Sequence, residues 1–359
     1  MSEGLREMTE PNPRWKQRPP GSTWGDFGPD DQRGRMNLLT REKVLQGIAE
    51  VKLGETICLS LPLDYPGKSL LNPNRHPPVL RPTLRNGVAV NFNFPLGKMR
   101  PGHTDVVCDD LAILHLQYST QWDSFAHVGS HFDADGDGLP EPVFYNGFRA
   151  GRDVVGPSDI ADAGAAGAGS TSTSGARALG IENLARGCVQ GRAVLVDLHR
   201  HYGEARTLVG YDKLMHAMQA DGVTVESGDM LCLHTGFADM LLRMGKEPTV
   251  EALENSHCVL DGRDERLLQW ITDSNIVALI ADNYAVEAIP SRDGGACCAG
   301  LPLHEHCLFK LGVHLGEIWH LGPLAKRLRE LGRSRFLLTA PPLYLPGAVG
   351  SPATPVATL

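Results

Sequence analysis

The sequence predicts an α/β protein built on a mixed β-sheet. Two observations support this class: short β-branched runs bounded by Gly or Asp recur along the chain, and segments with helical periodicity fall between them. The chain has 359 residues, of which 42% are hydrophobic and 21% charged, as in ordinary globular proteins, so it is long enough to bury a large core.

Five apolar runs have the length and the flanking residues of buried strands. Each is shorter than a typical helix and rich in Val, Ile or Leu. The runs are ETICLSLPL (55–63), AVLVDL (193–198), DMLCLHTG (229–236), IVALIAD (276–282) and FLLTAPPL (336–343).

Four segments between these runs are predicted helices. Thr40 is a suitable N-cap for the first helix, and Gly222 suits the end of the second. The segments are REKVLQGIAEVK (41–52), YDKLMHAMQADG (211–222), DERLLQWITDS (264–274) and LGPLAKRLRELGRS (321–334).

The chain is predicted to form one domain, residues 23–359, after a flexible N-terminal arm. Residues 1–22 are polar and rich in Pro. Residues 163–178 are small and polar and predict a flexible surface loop. We do not interpret this loop as a domain linker, because the motifs on both of its sides fit a single site.

Charge and cysteine content limit the partners and the compartment. The net charge of -8 argues against a nucleic-acid or anionic-membrane partner, and no run of 18 apolar residues is present. The N-terminus lacks the apolar segment of a secretory signal. Eight cysteines without a CxxC pair predict reduced thiols in a cytoplasmic protein.

The stretch STQWDSFAHVGSHFDADGDG (119–138) concentrates acids, histidines and a glutamine. If residues 115–123 are extended, Gln117, Ser119, Gln121 and Asp123 share one face, while Trp122 packs on the other. A turn could return His127 to the polar face. Such a concentrated polar face indicates a functional site.

Two other interpretations overlap this stretch. His127, His131 and Asp133 have a spacing that suits Zn²⁺, Mn²⁺ or Fe²⁺. The segment DADGDG (133–138) also resembles the start of a calcium loop, but its twelfth position is Phe144 instead of Glu. We therefore favour an Asp/Gly-rich turn for this segment.

A second polar cluster lies in LPLHEHCLFKLGVHLGEIWHL (301–321), where His304 and Glu317 could complete a metal site begun in the first stretch. The chain lacks a GxGxxG turn, a GxxxxGK[ST] loop and a GxSxG elbow, which argues against dinucleotide, nucleotide-triphosphate and serine-hydrolase chemistry. The pair Cys297-Cys298 has no basic partner in the sequence.

Several motifs together resemble the cyclase family of metal-dependent hydrolases, which includes kynurenine formamidase and isatin hydrolase, and they look closest to its long-chain branch. The motifs are TWGDFGPDDQRGRMNLLT (23–40), STQWDSFAHV (119–128), FYNGF (144–148), ADNYAVEAIP (281–290), LGEIWHL (315–321) and APPLYLPGAVGSPATP (340–355). The resemblance implies a kynurenine-formamidase-like (swivelling β/β/α) fold, in which helices flank a central, barrel-like mixed sheet.

The family motif HxGTHxDxPxH implies roles for individual residues. It places Gln117 and Gln121 at two histidine positions, Asp123 at the aspartate and His127 at the last, catalytic histidine. A His and a Glu further downstream complete the family site, and they fall on His304 and Glu317. The implied metal ligands are therefore Gln121, Asp123, His304 and Glu317. The set His127, His131 and Asp133 stays open as an alternative. The motifs also imply substrate contacts from Trp122, Tyr145, Asn146 and Asn283.

The resemblance implies hydrolysis of an amide, lactam or lactone in a small, cyclic or aromatic substrate, by a homodimer or homotetramer. Glutamine oxygens bind borderline metals less well than imidazole does, so Mn²⁺ is favoured over Zn²⁺. Two other functions stay open: a lyase or dehydratase that uses the same site, and a metal-free binding protein that has lost activity.

Overall fold

The computed structural model describes residues 14–87, 89–164 and 172–359, which form a mixed α/β fold. The strands are numbered in chain order. They are β1 (Thr56–Cys58), β2 (Val79–Pro82), β3 (Leu84–Arg85), β4 (Ala89–Val90), β5 (Phe94–Pro95), β6 (Val106–Val107), β7 (Asp110–Ile113), β8 (Gln121–Asp123), β9 (Ser130–Phe132), β10 (Glu141–Val143), β11 (Val154–Val155), β12 (Gly175–Ala176), β13 (Gln190–Asp197), β14 (Thr207–Val209), β15 (Met230–His234), β16 (Cys258–Leu260), β17 (Ala278–Ala281), β18 (His314–Glu317), β19 (Arg335–Thr339), β20 (Gly350–Pro352) and β21 (Val356–Thr358).

The helices follow the same chain order. The α-helices are α1 (Arg41–Ala49), α2 (Glu182–Arg186), α3 (Leu198–Tyr202), α4 (Tyr211–Ala220), α5 (Phe237–Arg243), α6 (Val250–Asn255), α7 (Glu265–Ser274), α8 (Pro302–His304) and α9 (Gly322–Glu330). Helix α8 continues into a wider π-helical segment, Glu305–Leu311. Short 3₁₀ turns cover Gly34–Leu38, Leu96–Lys98, Tyr145–Gly147 and Ile160–Asp162.

Nine strands form one curled sheet in the order β1-β21-β19-β13-β15-β17-β18-β8-β20. Strands β13, β15, β17 and β18 are parallel to their neighbours within this group, whereas the outer strands pair antiparallel. Parallel strands covered on both faces are apolar along their whole length, which is why the predicted runs contain so little alternation. The mixed, barrel-like sheet predicted for this chain is therefore confirmed.

The predicted strands and helices are present, with shorter bounds at several ends. The Thr40 hydroxyl caps α1 by accepting a hydrogen bond from the Lys43 backbone N–H. One apolar cluster lies between one face of the sheet and helices α4 and α7, through residues such as Leu214 and Ile271. Another lies on the opposite face, where Leu324 and Leu328 of α9 contribute. Helices thus flank both faces of the sheet.

The expectation that residues 115–123 are extended is wrong in its first half. Only Gln121–Asp123 form a strand, and residues 116–120 form a turn. Strand β8 is held by two neighbours in the sheet, with Trp122 opposite Gly316 on one side and Ser351 on the other.

The predicted arm is described from residue 14 onward. Trp15 lies 6.3 Å from Trp24 between ring centroids, and the Lys16 backbone N–H donates to the Ala134 carbonyl at 2.7 Å. Residues 1–13 lie outside the described residues, as does 165–171 in the predicted loop 163–178. Within the described part of the chain, no helix is both long and apolar enough to cross a membrane.

Candidate metal centre

The centre forms where two antiparallel strands of the sheet meet. Glu317 on β18 lies directly opposite Gln121 on β8, so the two side chains are neighbours across the pair. Trp122 lies on the other face of β8, where its ring packs 5.0 Å from that of Trp319 and its Nε1–H donates to the Ala340 carbonyl. These contacts fix β8, and alternation places Gln121 and Asp123 on the same face.

His304 reaches the centre from α8. Pro302 occupies the first turn of this short helix. The backbone N–H groups of Leu303 and His304 donate to the carboxylate of Glu287 at 3.0–3.1 Å. The same carboxylate lies 2.8 Å from Nδ1 of His304, so Glu287 fixes both the start of the helix and the orientation of the ring.

Asp123, His304 and Glu317 each direct one potential ligand atom into a space where these atoms lie within 4.8 Å of one another. All three residues are buried. Nε2 of His304 lies 3.2 Å from Oε1 of Glu317, and Nε2 of Gln121 donates to Oε2 of Glu317 at 3.2 Å. The predicted ligands Gln121, Asp123, His304 and Glu317 are thus brought together.

Two buried oxygens in the centre have no hydrogen-bond partner among the described residues: Oε1 of Gln121 and Oδ2 of Asp123. Buried polar atoms are nearly always paired, because an unpaired one costs about 1–3 kcal/mol. A divalent cation held by Asp123, His304 and Glu317 would satisfy Oδ2 of Asp123. Gln121 would join them through Oε1 after rotation of its amide, whose Nε2 faces the carboxylates of Asp123 and Glu317. The residues present therefore fit a metal ion, with three oxygen donors and one imidazole nitrogen.

The electrostatics of the cation-free centre support the same fit. Burial, followed by the negative charge of Glu317, raises the pKa of Asp123 to about 8. Burial acts against ionisation of Glu317 as well, but its hydrogen bond with His304 leaves its pKa below the usual value. For His304, burial is outweighed by hydrogen bonds to Glu287 and Glu317, which raise its pKa to about 10. The centre therefore holds positive charge in the form of a proton, which a cation could replace.

His127 lies at the edge of the centre. Its Nε2 is 3.9 Å from Oδ1 of Asp123, and its side chain is 21% exposed. Burial, and then the charge on His304, lower the pKa of His127 to about 4. The ring is therefore neutral near pH 7 and can accept a proton.

The alternative ligand set is not brought together by the fold. Among the described residues, no group of potential ligand atoms combines His127, His131 and Asp133. His131 is exposed on β9. The Asp133 carboxylate accepts hydrogen bonds from the backbone N–H groups of Gly136, Asp137 and Gly138, which is the geometry of an Asx-type turn.

The other residues of the first polar face have separate contacts. Gln117 belongs to the turn, where its backbone carbonyl accepts a hydrogen bond from Nη1 of Arg75 at 2.7 Å. The Ser119 hydroxyl is buried and has no hydrogen-bond partner among the described residues.

The residues predicted to contact substrate occupy different environments. The amide nitrogen of Asn146 donates to the carbonyls of Gly28, Pro29 and Asp31. The Tyr145 hydroxyl lies 3.5 Å from the Thr23 hydroxyl and donates to Oδ2 of Asp31 at 3.4 Å, so both residues anchor the loop 23–33. Trp122 is fully buried between strands. Asn283 lines a cavity of about 100 Å³, together with Tyr284 and Glu287.

Glu287 and Arg75 were not identified from the sequence. Glu287 lies in the motif ADNYAVEAIP, yet its contact with His304 depends on a turn that the motif does not reveal. Arg75 lies near enough to lower the pKa of both Asp123 and Glu317, after the larger effects of burial and of His304. Its position in an irregular, Pro- and Asn-rich segment gave no periodic signal.

The chain was compared with known families and structures. The model of the cyclase family matches residues 59–288. A crystal structure described as a novel cyclase is 29% identical, with a TM-score of 0.69, over 96% of this chain and 100% of that chain. Isatin hydrolase A from Labrenzia aggregata, bound to benzyl benzoate, is 9% identical, with a TM-score of 0.51, over 88% of this chain and 97% of that chain. No curated protein matches the chain significantly.

Proposed function

The chain belongs to the cyclase family, and we propose that it is a metal-dependent hydrolase. The proposed reaction cleaves the C–N or C–O bond of an amide, lactam or lactone in a small cyclic or aromatic molecule. One observation carries the proposal: Asp123, His304 and Glu317 converge in a buried space in which oxygens of Gln121 and Asp123 lack partners.

We propose that Gln121, Asp123, His304 and Glu317 hold the cation. Three of the four donors are oxygens, which favours Mn²⁺ over Zn²⁺. When bound, the ion would polarise the substrate carbonyl and lower the pKa of the attacking water. His304 would bind through Nε2, because Nδ1 faces the Glu287 carboxylate, and a carboxylate in that position orients a ligating histidine and raises its basicity.

His127 is proposed to move the proton. Its neutral ring can take a proton from the attacking water at Nε2 and later deliver it to the leaving nitrogen or oxygen. Asp123 lies 3.9 Å away and is positioned to stabilise the imidazolium formed between these two steps. The side chain is partly exposed, which leaves one face of the ring open to a substrate.

The test measures metal content and turnover on the same preparation. Purified protein is treated with a chelator, dialysed, and assayed against formamides, lactams and lactones before and after addition of Mn²⁺ or Zn²⁺. We expect no turnover without metal and recovery with Mn²⁺, with the product identified by mass spectrometry. A ring-opened product one water heavier than a lactam or lactone, or formate together with the free amine from a formamide, would establish hydrolysis. Loss of water or rearrangement would point to a lyase. Full turnover in metal-free protein would contradict the proposal.

We also propose that the chain acts on its small-molecule substrate as a homodimer or homotetramer. The segment between residues 79 and 111 exposes large apolar side chains, including Leu80, Leu84 and Phe92, which an assembled form would shield from water. Light scattering on the purified protein tests the mass. A cytoplasmic location stays a prediction; the eight cysteines are all free thiols in the structure.

A further inference from the structure

A second group of potential ligands lies apart from the first and shares no residue with it. His199, Glu204 and His257 each offer one ligand atom, and these atoms lie within 4.8 Å of one another. His199 belongs to α3, Glu204 follows that helix, and His257 directly precedes β16. The group therefore forms where two connections of the chain meet.

The backbone holds Glu204 and His257 next to each other. The His257 backbone N–H donates to the Glu204 carbonyl at 2.8 Å, and Ala205 pairs with Ser256 in an isolated antiparallel bridge. Strands β14 and β16, which follow these residues, pair in parallel. The two ligand-bearing positions are therefore fixed by hydrogen bonds that do not require a cation.

The His199 ring lies close to Gly236, where any larger residue would collide with it. Gly236 has a φ of +87°, and a Cβ built on it would lie only 2.4 Å from Cδ2 of the His199 ring. The rings of His199 and His257 are nearly parallel, with an interplanar angle of 17° and centroids 5.9 Å apart. Both imidazoles thus have defined positions.

His257 has an unpaired ring nitrogen in a buried position. The residue is 1% exposed, its Nδ1 lies 2.8 Å from the Ser256 hydroxyl, and its Nε2 has no hydrogen-bond partner among the described residues. A buried imidazole nitrogen without a hydrogen-bond partner is available to bind a metal.

We propose that His199, Glu204 and His257 form a second cation site that takes Zn²⁺. Two imidazoles and one carboxylate are a donor set typical of Zn²⁺ with three protein ligands, which leaves a fourth position for water or another group. This donor set is richer in nitrogen than the first centre, so the two sites should prefer different ions.

A cation here would tie two connections together at the wall of the cavity beside Glu287. Arg206, two residues after Glu204, and Val259, two residues after His257, both line that cavity. The Zn²⁺ site is therefore inferred to stabilise this wall, and its presence does not depend on the reaction proposed for the first centre.

The decisive measurement is the number of Zn²⁺ equivalents bound per chain. Chelator-treated full-length protein is equilibrated with Zn²⁺ and analysed by equilibrium dialysis and elemental analysis. We expect His257→Gln to bind one equivalent fewer than the native chain, whereas His216→Gln, which changes an exposed histidine of α4, binds the native number. Equal binding by His257→Gln and the native chain would overturn the proposal.

A matched pair of surface variants keeps the test valid if His257→Gln does not fold. Nη2 of Arg243 lies 2.8 Å from Oε1 of Glu204, and both side chains are more than half exposed. Glu204→Gln and Arg243→Gln break the same ion pair, but only the first removes a ligand. We expect Zn²⁺ affinity at the second site to fall roughly tenfold or more in Glu204→Gln. In Arg243→Gln it should be unchanged or higher, because a competing cation is lost. Equal affinities in the two variants would also overturn the proposal.

Discussion

His304 and Glu287 form a buried hydrogen-bonded pair, with Nδ1 of the imidazole 2.8 Å from Oε1 of the carboxylate. Because Nδ1 is occupied in this way, Nε2 is left to face Glu317 and the centre. Glu287 therefore acts on a cation only through His304, as a positioning residue. A substitution of Glu287 therefore tests the orientation of His304 while it leaves every proposed metal ligand in place.

Glu287→Gln should weaken Mn²⁺ binding about 10–100-fold, because the neutral amide orients His304 less firmly and lowers its basicity. Affinity is measured by calorimetric titration of chelator-treated protein. Glu305→Gln is the matched control: Glu305 starts the segment that follows His304, and its carboxylate accepts from the Ser130 hydroxyl outside the centre. Equal Mn²⁺ affinities for the two variants would show that Glu287 has no such role.

The two sets of ligands proposed from the sequence are separated by one pair of variants. Asp123→Asn removes a buried ligand charge and should reduce turnover by orders of magnitude and lower bound Mn²⁺. Asp133→Asn, the same change ten residues later, should leave both near the native level, because Asp133 bonds to backbone N–H groups of a turn. Turnover and metal content are measured after circular dichroism confirms folding. The opposite pattern would favour His127, His131 and Asp133 as ligands.

The strands and helices that could be predicted from the sequence are those whose hydrophobic pattern lies within the element itself. AVLVDL and IVALIAD supply much of β13 and β17, because short, continuous, β-branched apolar runs favour buried strands. Strand β8 gave no such signal: it has three residues and depends on Gly316 and Ser351, which are far away in sequence. A pattern with period two cannot reveal which distant strands will hold a short segment.

The residues of the candidate site divide in the same way into those that a sequence motif identifies and those whose role depends on distant contacts. Asp123, His304 and Glu317 were identified because the family motif fixes their residue types, and the fold brings them together. Asn146 was predicted to bind substrate, yet its backbone has a φ of 55° and its amide bonds to three carbonyls of a distant loop. Asparagine is common in such left-handed positions, so a structural role and a functional role give the same sequence signal.

His127→Ala should lower turnover about 10²–10⁴-fold, as expected for loss of a general base, while bound metal stays at the native level. Burial lowers the pKa of His127, and a cation in the centre would act in the same direction as the charge on His304. The native rate should therefore fall with acid only below the ordinary histidine value of about 6.5. The variant should lose that acidic limb. His131→Ala, a change at an exposed histidine, should keep it. Loss of metal together with activity in His127→Ala would instead identify His127 as a ligand.

The pair His234–Asp197 predicts how stability depends on pH. Nδ1 of His234 lies 2.7 Å from Oδ1 of Asp197, and Asp239 is a second acidic partner at 3.6 Å. Burial alone would lower the pKa of His234, but the hydrogen bond to Asp197 and the nearby carboxylate of Asp239 raise it to about 10.

Because the folded pKa of His234 lies above the unfolded value of about 6.5, its protonated form stabilises the fold fully below pH ~6.5. That contribution should be lost as pH rises towards about 10. Urea unfolding of chelator-treated protein between these limits should show a decline in the free energy of unfolding of about 1–4 kcal/mol. His234→Gln should be less stable at low pH and should show little of this decline, whereas His216→Gln should follow the native curve. An equal pH dependence in native protein and His234→Gln would mean that the proton is held elsewhere.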